Sequence, residues 1–409
     1  MKISPARLAS FEIHLRIERE KAFSSALLPI YEENLSVLDR ALCHELTLGT
    51  LRRQLYLDGV IEKFVTKKLD LEVRIALRLA IYQIYFLDRI PVYSAINESV
   101  NLVQKAKKTS AKGLVNAVLR KIANQKVELK FADEIEKISI KTSHPRWLIE
   151  KWMNQFGIEE TEKLAEANNE TPDLEFRGTA KSVETHLDEG RAAMFELAEK
   201  GEIYFQDKAS QMVAEVVDLQ PNEQFLDVCC APASKLSMIG TKNQATTLFG
   251  GDFYFHRLKF AKENCKRQGL SNVQFLQYDA EKSLPFADES FDVILLDAPC
   301  SGTGTIRHNP EIRYFLQVED FGELSSKQLK ILSNASKLIK TGGRLIYSTC
   351  SLEVEENEQV IESFLQANTN FEKLQPNLNQ QFLTEKDFAR TFPNRDKIDG
   401  FFIAILKKS

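Results

Sequence analysis

Two apolar runs in the C-terminal half of the chain end abruptly in polar loops that each hold a cysteine. The first, Leu295–Asn309, reads LLDAPCSGTGTIRHN and holds Cys300; the second, Leu345–Ser351, reads LIYSTCS and holds Cys350. Such runs are typical of strands in a parallel α/β sheet, whose carboxyl ends meet at the edge where ligands bind. Two thiols at one edge, with Asp297 beside the first, indicate covalent chemistry rather than packing.

From about Gln211 onward, strand-like and helical segments alternate. The candidate strands are Gln224–Val228, Thr246–Gly251, Val273–Gln277, Phe291–Leu296, Gly343–Ser348 and Phe401–Leu406. This alternation predicts an α/β fold with a doubly wound, mostly parallel sheet.

The first 130 residues look all-helical. Leu35, Leu38, Leu42 and Leu46 follow helical spacing, as do Ile75, Leu79, Tyr82 and Phe86. Residues 1–130 hold 22 Lys and Arg against 14 Asp and Glu, a charge of +8, whereas the remainder carries −12. A basic module joined to an acidic one fits a polyanion partner, although a solvated helical face is an equally good interpretation of the basic run at 105–130.

Residues 131–205 separate these two parts and are predicted to form a connector and a small α/β subdomain. Its strands are expected at Leu174–Gly178 and Glu202–Phe205, flanking a helix at Val183–Leu197, and Asp207 or Ser210 can cap the helix that follows. The predicted domains are therefore 1–130, 131–205 and 206–409.

Composition places the chain among ordinary globular proteins, with 43% hydrophobic and 27% charged residues. No apolar run approaches the roughly 20 residues of a membrane span, and the charged N-terminus does not resemble a secretory signal. The six cysteines lack metal-binding spacing and do not suggest a disulfide framework. We therefore expect a cytoplasmic protein in a reducing compartment, without a metal or a membrane partner.

Three acidic residues close three successive predicted strands. Asp227 leads into the loop Cys229–Lys235, while Asp252 and Asp279 end the next two strands. In dinucleotide-type folds the first loop cradles the ligand and the second acid binds ribose hydroxyls. No GxGxxG or GxxxxGK[ST] occurs, so we expect an adenosine cofactor without phosphates; singly, each carboxylate could equally be a loop or cap residue.

Several motifs resemble the NOL1/NOP2/Sun group of RNA 5-methylcytosine methyltransferases. They are Asp297–Gly304 (DAPCSGTG), Tyr347–Ser351 (YSTCS), Asp399–Phe402 (DGFF), Gln206–Asp207 and Arg307–Pro310 (RHNP). In the first part, DRIPVYSAINESVNLVQK and KGLVNAVLRKI resemble the NusB-like RNA-binding domain. The resemblance implies a class I, Rossmann-like methyltransferase domain preceded by a small α/β subdomain and an all-α NusB-like domain.

The resemblance also implies roles for four residues. Carbon 5 of cytosine is a poor nucleophile until a thiolate adds to carbon 6 and turns the ring into an enamine. By the family pattern Cys350 is this nucleophile, Cys300 assists product release, and Asp297 holds the base and supports protonation of ring nitrogen 3. Lys235 adds positive charge near both, which favours a thiolate. The alternative is that both cysteines are buried, unreactive thiols.

S-adenosylmethionine is the cofactor that the resemblance implies. The residues expected to bind it are Cys229, Cys230, Ala231, Pro232, Ala233, Ser234, Lys235, Asp252, Arg257, Asp279 and Asp297. This chain departs from the family in that loop, because Ala233 and Ser234 stand where relatives have two glycines and Cys230 replaces an alanine. A Cβ at a position of positive φ costs about 1 kcal/mol or more.

The expected function is therefore S-adenosylmethionine-dependent methylation of carbon 5 of a cytosine in small-subunit (16S) ribosomal RNA by a monomer. The target base must leave its stack, and Arg307, His308 and Asn309 are expected to contact RNA backbone near it. Two alternatives stay open: the same chemistry on transfer RNA, and a non-catalytic RNA-binding factor whose altered loop no longer binds the cofactor.

Overall fold

The computed structural model describes residues 3–125, 127–181, 191–243 and 246–409. They form two compact units, one of Met1–Thr171 with Ile306–Leu316 and the other of Pro172–Thr305 with Gln317–Ser409. Among the described residues, no helix is long and apolar enough to cross a membrane. Helices and strands are numbered in chain order below.

The first unit is all-helical, as predicted. Its helices are α1 (Pro5–Glu20), α2 (Ser24–Glu32), α3 (Val37–Arg52), α4 (Gln54–Glu62), α5 (Leu71–Phe86), α6 (Val92–Lys105), α7 (Lys112–Asn124), α8 (Glu134–Thr142), α9 (Arg146–Phe156), α10 (Ile158–Ala167) and α15 (Ile312–Phe315). Helix α5 is the centre of the core, since Ile75, Leu79 and Tyr82 are buried at the predicted spacing. Leu38 is 83% exposed. In α3 the apolar spacing therefore predicted the helix correctly, but Leu38 does not belong to the buried face of that helix.

The segment after the Cys300 loop belongs to this helical unit. Glu311 accepts hydrogen bonds from the Ser24 backbone N (2.6 Å) and Oγ (3.1 Å), and the buried Arg313 donates to the Thr142 carbonyl (3.1 Å). Arg307 is also buried, and its carbonyl accepts a hydrogen bond from Arg52 (2.9 Å). The predicted contact of Arg307 with RNA backbone is therefore wrong, because its guanidinium is not presented to solvent.

The second unit is an α/β structure around one large mixed sheet. Its strands are β1 (Phe176–Gly178), β2 (Ile203–Phe205), β3 (Phe225–Asp227), β4 (Leu248–Asp252), β5 (Val273–Gln277), β6 (Phe291–Asp297), β7 (Ile339–Thr349), β8 (Phe371–Leu374), β9 (Ala389–Arg390) and β10 (Phe402–Lys408). Its helices are α11 (Arg191–Lys200), α12 (Lys208–Glu215), α13 (Ser234–Lys242), α14 (Phe255–Arg267), α16 (Asp320–Ser336), α17 (Glu358–Ala367) and α18 (Pro393–Asp396).

The sheet order is β5-β4-β3-β6-β7-β10-β8, with β9 paired to β10. The neighbours from β5 to β7 are parallel, while β10 runs antiparallel to β7 and to β8. Separate apolar clusters cover the two faces, and they include Phe225 on one and Leu226 on the other. The prediction of a doubly wound, mostly parallel sheet is confirmed, and its antiparallel strands lie at the β10 edge.

The predicted strands agree with the observed ones to within a few residues, and β5 matches fully. Strands β8 and β9 were not predicted, because the FEKL of β8 is short, half-charged and ordered only through its pairing with β10. The small hairpin β1–β2 is confirmed. The helix predicted at Val183–Leu197 is observed as α11 at its C-terminal end, and residues 183–190 of it lie outside the described chain.

Candidate active site

Four polar residues converge on one edge of the sheet. Asp227, Asp252 and Asp297 are the last residues of β3, β4 and β6, and Cys350 directly follows β7. These four strands are consecutive in the order β4-β3-β6-β7 and parallel, so their carboxyl ends lie side by side. In open α/β sheets this is the edge where ligands bind.

The two loop cysteines are in contact. Cys300 Sγ lies 3.4 Å from Cys350 Sγ, and both thiols are partly buried. The hydrogen bond to Cys350 and burial together raise the pKa of Cys300 well above its usual value. Cys300 is therefore a neutral thiol in this state, placed to donate a hydrogen bond or a proton to the sulfur of Cys350.

A buried ion pair lies beside the thiols. Lys235 Nζ is 2.6 Å from Asp297 Oδ2, and Ser348 Oγ donates to Asp297 Oδ1 at 2.7 Å. Burial lowers the pKa of Lys235, but Asp297, with smaller contributions from Cys350 and Asp227, outweighs burial, and the net shift of the pKa is upward. Lys235 Nζ also lies 5.2 Å from the centre of the Phe401 ring. Asp297 retains 29% side-chain exposure, so its carboxylate is oriented by both partners and still accessible to a ligand.

Glu356 joins the two cysteine loops and was missed by the sequence analysis. Its fully buried carboxylate accepts hydrogen bonds from the Ser301 backbone N (2.9 Å), Ser301 Oγ, Ser351 Oγ (2.5 Å) and Gln328 Nε2 (2.9 Å). Ser301 and Ser351 each follow a cysteine directly in sequence. The acidic run EVEENE gives no sign of burial, because acidic runs of this kind are usually solvated.

A pair of glycines lets a third loop reach the same place. Gly304 N donates to the Cys350 carbonyl (2.9 Å), and Gly304 O accepts from Gly400 N (2.9 Å). A Cβ on Gly304 would lie only 2.0 Å from the Gly400 carbonyl oxygen, so no larger residue fits. The DAPCSGTG, YSTCS and DGFF motifs are thus brought together, as a common site requires.

The loop after β3 keeps a glycine-like backbone without its glycines. Ala233 has φ 72° and ψ 29°, the left-handed region, and is fully buried immediately before α13. Cys230 N donates to the Gly251 carbonyl at 2.8 Å, which fastens the loop to the end of β4. The loop therefore reaches the conformation that glycine favours, at a cost of about 1 kcal/mol for the Ala233 Cβ.

The other predicted cofactor residues lie at the same sheet edge with different surroundings. Asp252 is buried and accepts from Tyr254 N (3.0 Å), while Arg257 pairs with it at 3.4 Å and donates to the Ala231 carbonyl at 2.6 Å. Asp279 follows β5 by two residues, is partly exposed and pairs with Lys282 at 3.3 Å. Arg257 thus contacts both the loop and Asp252, and its role in binding the cofactor stays a prediction.

Arg177 of β1 braces the start of α13, a contact that the sequence did not reveal. Its guanidinium donates to Gln206 Oε1 (2.6 Å), Ser237 Oγ (2.7 Å) and the Ser234 carbonyl (3.0 Å). Burial lowers the pKa of Arg177 to about 10. The sequence could not predict this contact, because Arg177 lies in a short strand and Gln206 follows twenty-nine residues later.

Asp227 is a completely buried carboxyl at the end of β3. Burial, and then the neighbouring Asp297, raise its pKa to about 8 against the opposing effect of Lys235. Its Oδ1 atom has no hydrogen-bond partner among the described residues. An acceptor without a partner, a loop that ends in a left-handed residue, and the Asp252 carboxylate at the next strand end together suit an adenosine cofactor.

The raised pKa of Asp227 predicts how stability depends on pH. The folded protein keeps this carboxyl protonated up to about pH 8, whereas the unfolded chain ionises it near pH 4, so stability falls as pH rises across that window. We expect Asp227→Asn to remove this slope, which amounts to about 2–4 kcal/mol between about pH 5 and pH 8. Urea denaturation at both pH values measures it, and an equal slope in both proteins would contradict the assignment.

This fold and site define a class I methyltransferase, whose cofactor is S-adenosylmethionine. The sequence model of the 16S rRNA methyltransferase RsmB/F matches residues 214–407, that of the NusB family matches 4–124, and that of the Methyltr_RsmF/B-like, ferredoxin-like domain matches 144–186. The chain belongs to the RsmB/F family of 16S rRNA methyltransferases. The domain boundaries 1–130, 131–205 and 206–409 stay a prediction.

Relatives and solved structures extend this similarity over the whole chain. The chain is 33% identical to "Probable ribosomal RNA small subunit methyltransferase B" of Bacillus subtilis, covering 100% of both sequences. It is 33% identical to "Ribosomal RNA small subunit methyltransferase B" of Pseudomonas syringae pv. tomato, covering 88% of this chain and 86% of the relative. It also resembles the crystal structure of PH0851, with a TM-score of 0.82, 26% identity and 100% coverage of both chains.

Proposed function

We propose that this protein methylates carbon 5 of a cytosine in 16S ribosomal RNA, through a covalent bond between Cys350 Sγ and carbon 6 of the base. The observation that carries the proposal is the 3.4 Å approach of Cys300 and Cys350 beside the Lys235–Asp297 ion pair. A methyltransferase that modifies an already nucleophilic atom needs no thiol, and a second thiol has a use when the first must later leave.

In the first step the Cys350 thiolate adds to carbon 6. Ring nitrogen 3 takes up a proton delivered through Asp297 as the electron pair of the double bond between carbons 5 and 6 shifts to carbons 4 and 5. Carbon 5 thereby becomes the nucleophilic end of an enamine. Asp297 faces the base with one carboxylate oxygen on Ser348 and the other on Lys235, so it holds the base edge while Lys235 supplies positive charge. S-adenosylmethionine supplies the methyl group as an electrophile on a sulfonium.

In the second step the methylated base must be released. The proton on carbon 5 passes to solvent, and its electron pair restores the double bond between carbons 5 and 6. The bond between Cys350 Sγ and carbon 6 breaks with its electron pair on sulfur, and ring nitrogen 3 gives its proton back through Asp297. Cys300, held neutral by its own environment, can protonate the departing sulfur at 3.4 Å. Glu356 keeps the two sulfurs at this distance by binding both loops.

Ribosomal RNA is the substrate supported by the names of the relatives and by the NusB family match. The side chain of Ala233 gives the non-catalytic alternative a physical basis, since a Cβ at this left-handed position would limit how closely a cofactor approaches the loop backbone. We further propose that the protein acts in the cytoplasm, as the sequence analysis expects.

Two measurements test this function. Calorimetry with S-adenosylmethionine should show binding, and incubation with 16S ribosomal RNA from a strain lacking the gene should create a bisulfite-resistant cytosine. A folded protein that binds no cofactor would support the non-catalytic factor instead. Methylation of transfer RNA but not of 16S RNA would transfer the same chemistry to the other substrate.

A further inference from the structure

A surface of aromatic and basic side chains follows strand β4, and we refer to it as the α14 surface. Its members are Phe253, Tyr254, Phe255, Lys259, Phe260, Lys262, Lys266 and Arg267. The four rings are 54%, 51%, 58% and 61% exposed, respectively. Large apolar side chains on a protein surface are unremarkable when scattered singly, whereas four exposed rings within residues 253–260 favour an interaction site.

The charge of this surface contrasts with that of the rest of the domain. Helix α14 carries five basic residues and a single acid, Glu263, while residues 131–409 have a net charge of −12. Lys259 Nζ lies 5.0 Å from the centre of the Phe255 ring, so cation and ring already share one face. Positive charge interleaved with exposed rings is the pattern by which proteins bind single-stranded nucleic acid.

The rings stand on backbone that is fastened to the cofactor-binding edge. Tyr254 N donates to Asp252, Gln277 donates to the Phe253 carbonyl (3.0 Å), and Asn264 donates to the Pro232 carbonyl (3.0 Å). Leu258, Ala261 and Cys265 bury the opposite face of α14 in the core. The α14 surface is therefore rigid and borders the edge where the base must meet the methyl donor.

We propose that the α14 surface binds unpaired nucleotides of the RNA substrate, with bases stacked on Phe255 and Phe260 and phosphates neutralised by Lys259, Lys262 and Lys266. This inference rests on the proposed function. Phe253 and Tyr254 directly follow Asp252, a residue expected to bind the cofactor, so the assignment uses the two rings of the helix itself. Base faces are accessible only in unpaired RNA, which is also what attack on carbon 6 requires.

Charge argues against the other occupants of such a surface. A second copy placed on it about a two-fold axis would oppose two positively charged faces, which repel. The cores of protein interfaces are depleted in lysine, whereas lysine is the most frequent basic residue here. RNA is the partner that would contact both groups, because its bases stack on the rings and its phosphates pair with the lysines.

The test compares Phe255→Ala/Phe260→Ala with Phe195→Ala, which removes a ring of similar exposure (53%) on α11. Fluorescence anisotropy of the full chain measures binding of a single-stranded RNA of about twelve nucleotides, and of the same RNA in a duplex. We expect the double variant to bind the single strand at least about five-fold more weakly, with duplex binding unchanged. The control variant should match the wild type on both.

A charge variant provides an independent readout. Lys259→Gln/Lys262→Gln/Lys266→Gln should flatten the dependence of log affinity on log salt concentration by up to about two units. Cofactor binding by calorimetry should be unchanged in every variant. Unaltered single-strand affinity in the ring variant, or a wild-type dimer in sedimentation that the ring variant abolishes, would overturn the assignment. Absence of methyl transfer by the wild-type protein would instead refute the proposed function.

Discussion

Replacing Cys350 with alanine is expected to abolish methyl transfer, with a loss of at least about a thousand-fold, while binding of cofactor and RNA is retained. The loss follows because the other described thiols nearest the site are poor nucleophiles: Cys300 is held neutral, and Cys229 is a partly buried thiol whose pKa is raised well above its usual value. Transfer of a labelled methyl group to 16S RNA measures the effect.

Cys265→Ala is the matched control for this substitution. It removes a buried thiol from the same unit, on the core side of α14, and should leave methyl transfer within about two-fold of the wild type once folding is verified. If Cys350→Ala retains most of its activity, the nucleophile is another residue and the proposed mechanism is wrong.

Replacing Glu356 with alanine is expected to have the second-largest effect, a fall in kcat of about a hundred-fold or more with little change in KM for either substrate. The substitution leaves the Ser301 backbone N without its acceptor and removes one of the two acceptors of Gln328 Nε2, which keeps the Pro299 carbonyl. It also removes the carboxylate that links the two loops holding the sulfurs. Misplacing reacting groups by about 1 Å costs about this much. The unpaired buried donor should also lower stability by about 1–3 kcal/mol.

The conservative variant Glu356→Gln distinguishes whether Glu356 acts by positioning the two loops or through its negative charge. In Glu356→Gln the amide oxygen can accept from Ser301 N and Gln328, while the amide nitrogen donates to the hydroxyls of Ser301 and Ser351. If Glu356 acts by holding the loops, Gln restores most of kcat without shifting the pH profile. A Gln variant as impaired as the Ala variant would contradict this role. Glu362→Ala, an exposed position on α17, is the neutral control.

The sequence predicted the parts of the site that lie at strand ends. Alternating apolar runs located β3 to β7, and parallel strands must bring their carboxyl ends to one edge, so the convergence of Asp227, Asp252, Asp297 and Cys350 follows from local pattern alone. The antiparallel partners at the far edge escaped prediction, because β8 is a short polar strand that is ordered by its neighbour β10.

Contacts between distant loops could not be predicted in the same way. Glu356 reads as one acid among several, and only the folded chain shows that it is buried against Ser301, fifty-five residues away. The Gly304–Gly400 contact and the brace from Arg177 to Ser234 are likewise set by packing across the sheet edge. Local sequence carries little information about such pairings.

Ala233 is a case in which the sequence pointed to an unusual position and the structure explains how the chain accommodates it. The loop backbone is fixed by the hydrogen bond from Cys230 N to the Gly251 carbonyl and by the start of α13, so the left-handed conformation is held with an alanine in place. The cost of about 1 kcal/mol is small beside the cohesion of the surrounding core. Sequence alone located the departure, and the structure shows how it is tolerated.

The most direct test of the central claim, a covalent bond between Cys350 and carbon 6 of the base, uses the variant Cys300→Ala. Without the thiol that assists release, the methylated RNA should remain attached to the protein as a complex that survives denaturation. Digestion and mass spectrometry should locate the attached nucleotide on Cys350. Failure to trap a complex with a folded, cofactor-binding Cys300→Ala protein, or attachment at another residue, would contradict the account.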